Sequence, residues 1–347
     1  MRRRDVAAAG KRVLLHAGFP KTGTTTIQAA LSNQRSGLDA LGIVYPDCAV
    51  PGLKPSISHP ALSLALMWRL PAHFGTVAQA DCRAWLAQCL LDFRTTPHSL
   101  LLLSHETLSE VARRLRWTRL RGLLSGLDVQ ALVYVRVLDD YLESRLEQRV
   151  RAGECTLADL RDGRAAKRLQ RLSNLAKLRA LRDGLRLLPV VRSYDQAQAG
   201  TGLLGDFARH AGLPLAVFEG QRNENVSVHA ADRMFLAYTA QAARDADFLP
   251  ELRLGLRKAR QQGLSPLFNR RFGLLDAASR RRARAIYNQE LPRLNAEFAC
   301  GIAPAPELST ADLDYASQLT PMEFHAMADA LEPLLPPAQL AALRGAY

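Results

Sequence analysis

The sequence predicts an α/β fold, a three-layer sandwich with a parallel sheet, and three observations carry that expectation. Short apolar runs alternate with stretches of helical periodicity through the first half of the chain. Those runs are apolar nearly throughout, as strands covered on both faces require. A glycine-bearing turn joins the first run to a helical pattern, the strand–turn–helix order of α/β proteins.

In chain order, residues 12–17 read as the first strand and 24–34 as the helix after its turn. A Pro-, Gly- and Ser-rich loop at 46–60 leads into helices at 61–70 and 77–93, an insertion long enough to cover a site. Residues 100–103 form a second buried strand. QALVYVR at 130–136 is the clearest strand, followed by an amphipathic helix at 139–151. A fourth strand at 187–191 contains Pro189, which suits a sheet edge. Beyond Asn223 the pattern is helical, at 230–246, Phe248–Gln261 and Ala277–Phe298. The expected organisation is one domain over 1–347, with its core at 12–300 and a helical tail at 301–347.

Of 347 residues, 48% are apolar and 23% charged, which excludes a mainly disordered chain. Basic residues number 46 against 33 acidic, a formal charge of +13. Only six of the 46 are lysines. An electropositive face would attract a polyanionic cosubstrate or acceptor. The alternative source is the codon bias of a GC-rich genome. The arginines are spread along the chain with no zinc-finger or RNA-binding signature, so nucleic acid is not an expected partner. No apolar run reaches the roughly 18 residues of a membrane span, and the start lacks a secretory pattern. Cysteines at 48, 82, 89, 155 and 300 form no CxxC pair, which points to reduced thiols and a cytoplasmic location.

The sharpest motif is VLLHAGFPKTGTTTIQAAL at residues 13–31. Its glycines let successive backbone N–H groups turn toward one anion, and the helix start adds a positive dipole. Lys21 supplies a mobile charge, and Thr22, Thr24 and Thr25 supply hydroxyls. A nucleotide triphosphatase loop, GxxxxGK[ST], places lysine after the second glycine. Here Gly18 and Gly23 keep that separation, but Thr24 stands at the lysine position and Lys21 lies inside the loop. No acidic residue ends the second strand as a magnesium partner. A P-loop kinase or NTPase is therefore the second reading, and a non-catalytic nucleotide- or glycan-binding module the third.

HAGFPKTGTTTIQ resembles the 5′-phosphosulfate loop of sulfotransferases that use 3′-phosphoadenosine-5′-phosphosulfate (PAPS), and LxxxGIVYP at 38–46 resembles bacterial members of the carbohydrate-type branch. The resemblance implies a P-loop-type fold and metal-free transfer of a sulfuryl group to a hydroxyl on a sugar, glycan or small acceptor. The product nucleotide would be 3′,5′-adenosine bisphosphate. It also implies that Lys21 contacts the bridging and sulfuryl oxygens, that Gly23, Thr24 and Thr25 hold the 5′-phosphate, and that Gly18, Pro20 and Thr22 belong to the same cofactor-binding loop. In the family, a strand-terminal Arg and a Ser eight positions later hold the 3′-phosphate, and Arg136 and Ser144 have that spacing. Arg222, with Asn223 and Ser227, resembles a segment that closes over the nucleotide.

An acceptor hydroxyl needs a proton acceptor beside the phosphosulfate. Glu106, after the second long strand, belongs at the carboxyl edge of the sheet, where ligands of such folds bind. His105 is the rival base. His59, in the inserted loop, is a third candidate, and His16 reads as a packed core residue.

Overall fold

A computed structural model describes residues 10–70, 76–106, 108, 109, 112, 115–152, 154, 173–220, 235, 236, 248–269, 273–309 and 320–345. In chain order its elements are β1 (Arg12–His16), α1 (Thr24–Asn33), α2 (Arg35–Ala40), β2 (Ile43–Val44), α3 (Pro60–Leu66), α4 (Gln79–Thr95), β3 (Leu100–Ser104), α5 (Trp117–Leu123) and β4 (Asp128–Val135). Then come α6 (Leu138–Arg151), α7 (Asn174–Leu185), β5 (Val190–Ser193), α8 (Tyr194–Ala199), α9 (Leu203–Ala211), α10 (Phe248–Gln261), α11 (Ala277–Phe298), α12 (Pro321–Asp329) and α13 (Pro337–Arg344). These residues group into two compact units. The first falls within Met1–Arg136, Ser173–Asn225 and Glu290–Ala303; the second falls within Val137–Leu172, Val226–Gln289 and Pro304–Tyr347.

The first unit holds the expected sheet. Five strands, all parallel, lie in the order β2-β3-β1-β4-β5, flanked by helices as a three-layer α/β sandwich. On one face Leu14, Leu100, Leu102, Leu132 and Tyr134 pack with Ile27 and Leu31 of α1 and Phe207 of α9. The alternate residues Val13, Leu15, Leu101, Leu103 and Val133 are buried as well, so both faces are covered. Basic side chains fasten the helix ends. Lys11 donates to the carbonyls of Phe93, Thr96 and His98 at the end of α4, and Arg12 to Ala211 at the end of α9.

The expected strands at 12–17, 100–103 and 130–136 are β1, β3 and β4, and the fourth is β5, shifted to Val190–Ser193 so that Pro189 stays outside it. Two details depart from expectation. β2 is an additional two-residue strand, paired with β3 through Ile43↔Leu100 and Val44↔Leu101. The first inserted helix stops at Leu66, where Met67 turns extended and bridges Leu115.

The second unit is helical among its described residues. Glu143 of α6 accepts the backbone N–H groups of Leu274 (2.6 Å) and Leu275 (3.1 Å). Arg284 forks onto the fully buried Asp139 at 2.9 and 2.7 Å. Phe235 stacks on Phe324 of α12, whose start carries a Thr320/Glu323 capping box. The tail segment Pro304–Tyr347 groups with this unit. No helix among the described residues is long and apolar enough to cross a membrane.

Candidate functional site

The strand order sends the chain from β1 toward one sheet edge and from β4 toward the other. Adjacent strands whose connections diverge open a crevice at their carboxyl ends, and the two sequence motifs leave those two strands there. The register His16↔Leu132 leaves Leu132–Val135 of β4 alongside the loop after β1, and Ala17 N–H donates to the Leu132 carbonyl.

Several contacts tighten the loop. Gly18 is buried, and a Cβ there would lie 2.5 Å from Thr24 Oγ1, so the loop closes this tightly only on a glycine. The Thr22 and Thr24 hydroxyls both donate back to the Phe19 carbonyl, at 2.6 and 3.3 Å. Pro20 is buried, Lys21 half-buried and Thr25 exposed. Lys21 takes φ 65°, a left-handed conformation costly for a side-chain-bearing residue, and Gly23 follows at φ 75°. Such positive-φ turns build the backbone concavities that bind anions. Gly23 precedes helix α1 as its N-cap and offers no side-chain cap, and the first turn holds no acidic residue. Its dipole therefore remains available to an external anion.

Arg136 meets this loop directly: its Nη1 donates to the Lys21 carbonyl at 3.1 Å. The register Val135↔Ser193 brings the first turn of α8 to the same level. The Arg136 guanidinium lies 5.0 Å above the Tyr194 ring, and its Nε is 3.7 Å from Asp195. Ser144 is half-buried on α6, within the second unit. Arg222, Asn223 and Ser227 lie outside the described residues.

Glu106 is positioned by its neighbours. His105 N–H donates to the His16 carbonyl at 3.1 Å, and Ser109 Oγ donates to the Gly18 carbonyl at 2.8 Å. The segment carrying Glu106 is thus pinned on both sides to the start of the phosphate loop. Glu106 itself is half-buried in a turn. Burial, then the nearby His59, pushes the His105 pKa down to about 3.

His59 and His16 form a buried scaffold around Ser104. Ser104 N–H donates to His59 Nδ1 (2.9 Å), which places the ring proton on Nε2, the donor to the Pro46 carbonyl (2.8 Å). Both His59 nitrogens are therefore committed to backbone, and burial lowers its pKa to about 4. His16 Nδ1 lies 2.8 Å from Ser104 Oγ, which also accepts from Gln28. Burial lowers His16 to about 3, in line with its reading as a core residue.

Sequence reasoning missed Ser109, Tyr194, Asp195 and Lys177, whose Nζ lies 5.0 Å from the centre of the Phe19 ring. A lone serine and a helix-borne lysine carry no motif, so only the fold brings them to the loop. The chain matches no protein-family model and no curated protein.

Proposed function

We propose that the protein is a sulfotransferase that moves the sulfuryl group of PAPS to an acceptor hydroxyl on a sugar or glycan, without a metal, in the cytoplasm. The observation that carries this reading is the bond from Arg136 to the Lys21 carbonyl. It brings Arg136 to the loop of Lys21, 115 residues away, which supports reading the two as phosphate anchors of one site. A triphosphate loop with lysine after its second glycine is absent from the sequence, which weakens the kinase alternative.

In this reaction the acceptor oxygen forms a bond to sulfur while the bond from sulfur to the bridging phosphate oxygen breaks. Lys21 stabilises the charge that grows on the leaving phosphate. Glu106 takes the acceptor's proton. It is favoured over His105 because a histidine held at about 3 has little drive to accept one. It is favoured over His59 because both ring nitrogens there are engaged. The test is calorimetry in EDTA. The proposal expects 3′,5′-adenosine bisphosphate to bind at micromolar affinity or tighter. Absence of binding, or a preference for ATP with magnesium, overturns it.

A further inference from the structure

A second basic surface lies in the first unit, outside the phosphate crevice. Trp68, just past α3, is 66% exposed, and the Arg116 guanidinium lies 4.7 Å from the centre of its ring. Arg83 and Arg119 stand close enough that burial, then the charges of Arg119 and Arg116, lower the Arg83 pKa. Half-buried Arg35 and Arg192, by contrast, meet carboxylates, Asp47 and Asp206. Among the described residues none of these three has an ion-pair partner. Arg83 bonds only the neutral Gln79 side chain and the Ala65 carbonyl, and the buried Nε of Arg116 finds no hydrogen-bond acceptor. Like charges gathered without a counter-ion raise the free energy of the isolated protein and are relieved by an external anion.

The surface is connected to the crevice by short, hydrogen-bonded chain. His59 pairs with Ser104 at the sheet edge; α3 then spans seven residues, about 10 Å, before Trp68. From the same Ser104 the chain passes Glu106 and Ser109 and rejoins at the Met67–Leu115 bridge, beside Arg116.

We infer that Trp68, Arg83, Arg116 and Arg119 form a docking surface for an anionic saccharide chain, the flank of the acceptor. An indole offers an apolar plate for the C–H face of a pyranose, and guanidinium forks match carboxylate or sulfate oxygens. A single exposed aromatic suits this occupant better than a single-stranded nucleic acid, which needs successive stacking platforms. Its role as acceptor flank rests on the sulfotransferase reading; its existence as an anion-binding surface does not.

The probe is a chondroitin hexasaccharide, with neutral maltohexaose as reference and calorimetry as readout. Affinity for the anionic hexasaccharide is expected to fall roughly tenfold or more in Arg116→Gln/Arg119→Gln, and to fall in Trp68→Ala. Arg257→Gln/Lys258→Gln removes the same charge from exposed positions on α10 and should leave it nearly unchanged. Affinity for 3′,5′-adenosine bisphosphate, measured on every variant, should stay constant and reports correct folding. Equal losses in both double variants, equal binding of maltohexaose, or tighter binding of a single-stranded oligonucleotide overturns the inference. Hexasaccharide binding through Trp68 without any nucleotide binding overturns the sulfotransferase reading and leaves the docking surface standing.

Discussion

Arg136 is held by a carbonyl, an aromatic ring and a carboxylate at once, so its fork is aimed before any ligand arrives. Preorganisation of that kind spares the ordering cost of a long side chain on binding. Arg136→Ala should weaken 3′,5′-adenosine bisphosphate by one to two decades, the roughly 1.5–3 kcal/mol of a charged contact, and 5′-AMP far less. Arg136→Lys keeps the charge but loses the planar fork, and should recover only part of the difference. Equal losses for both nucleotides would show that Arg136 serves the loop and not the 3′-phosphate. In the proposed reaction Glu106 acts on the acceptor, not on the nucleotide. Glu106→Gln should retain nucleotide affinity while turnover falls on the order of 10² to 10⁴-fold. Near wild-type turnover with an authentic acceptor would remove Glu106 from the mechanism.

The element that concentrates the chemistry is the connection from β1 to α1, and its second glycine answers two demands. Gly23 takes φ 75°, and a methyl there would lie 2.2 Å from Leu203 Cδ2 and 2.8 Å from Tyr194 Cε2. Gly126 has nearly the same φ, 77°, with nothing within 4 Å of its Cβ position. Gly126→Ala should therefore cost only the left-handed strain, about 1–2 kcal/mol. Gly23→Ala should cost more and also abolish nucleotide binding. Equal urea midpoints for the two variants would refute the packing argument. This connection was legible in the sequence because its chemistry is local: apolar strand, paired glycines, lysine and threonines in one window. β2 was not, since two residues carry no periodicity and depend on pairing with β3. The commitment of His59 to Ser104 was equally hidden, because a tautomer is set by partners 45 residues away. Tyr194 reaches the loop through the β4–β5 register, and Ser109 through its bond to the Gly18 carbonyl.

At the scale of the molecule the basic charge has more than one role. Lys11, Arg12, Arg94 and Arg121 donate to carbonyls at or just beyond helix ends, so part of it is structural. The buried histidines give the fold its pH dependence. His16, His59 and His105 are held near 3, 4 and 3 by burial, against about 6.5 for a free histidine. Their folded pKa values lie below the unfolded value, so the unfolded chain binds protons first as pH falls. Stability is then fully present above about pH 6.5 and is lost progressively toward pH 4, about 4 kcal/mol per pH unit for the three. Asp206 adds a loss in the same direction at lower pH. Burial alone would raise its pKa, but hydrogen bonds from Arg192 and Tyr134 hold it below the ordinary value. Urea midpoints measured from pH 7.5 to 4.5 should fall steeply below about 6.5, and His16→Gln should shallow that slope by about a third. A midpoint flat between pH 7 and 5 would mean that these rings gain protons without unfolding, and that the neutral scaffold around Ser104 is not what holds the crevice.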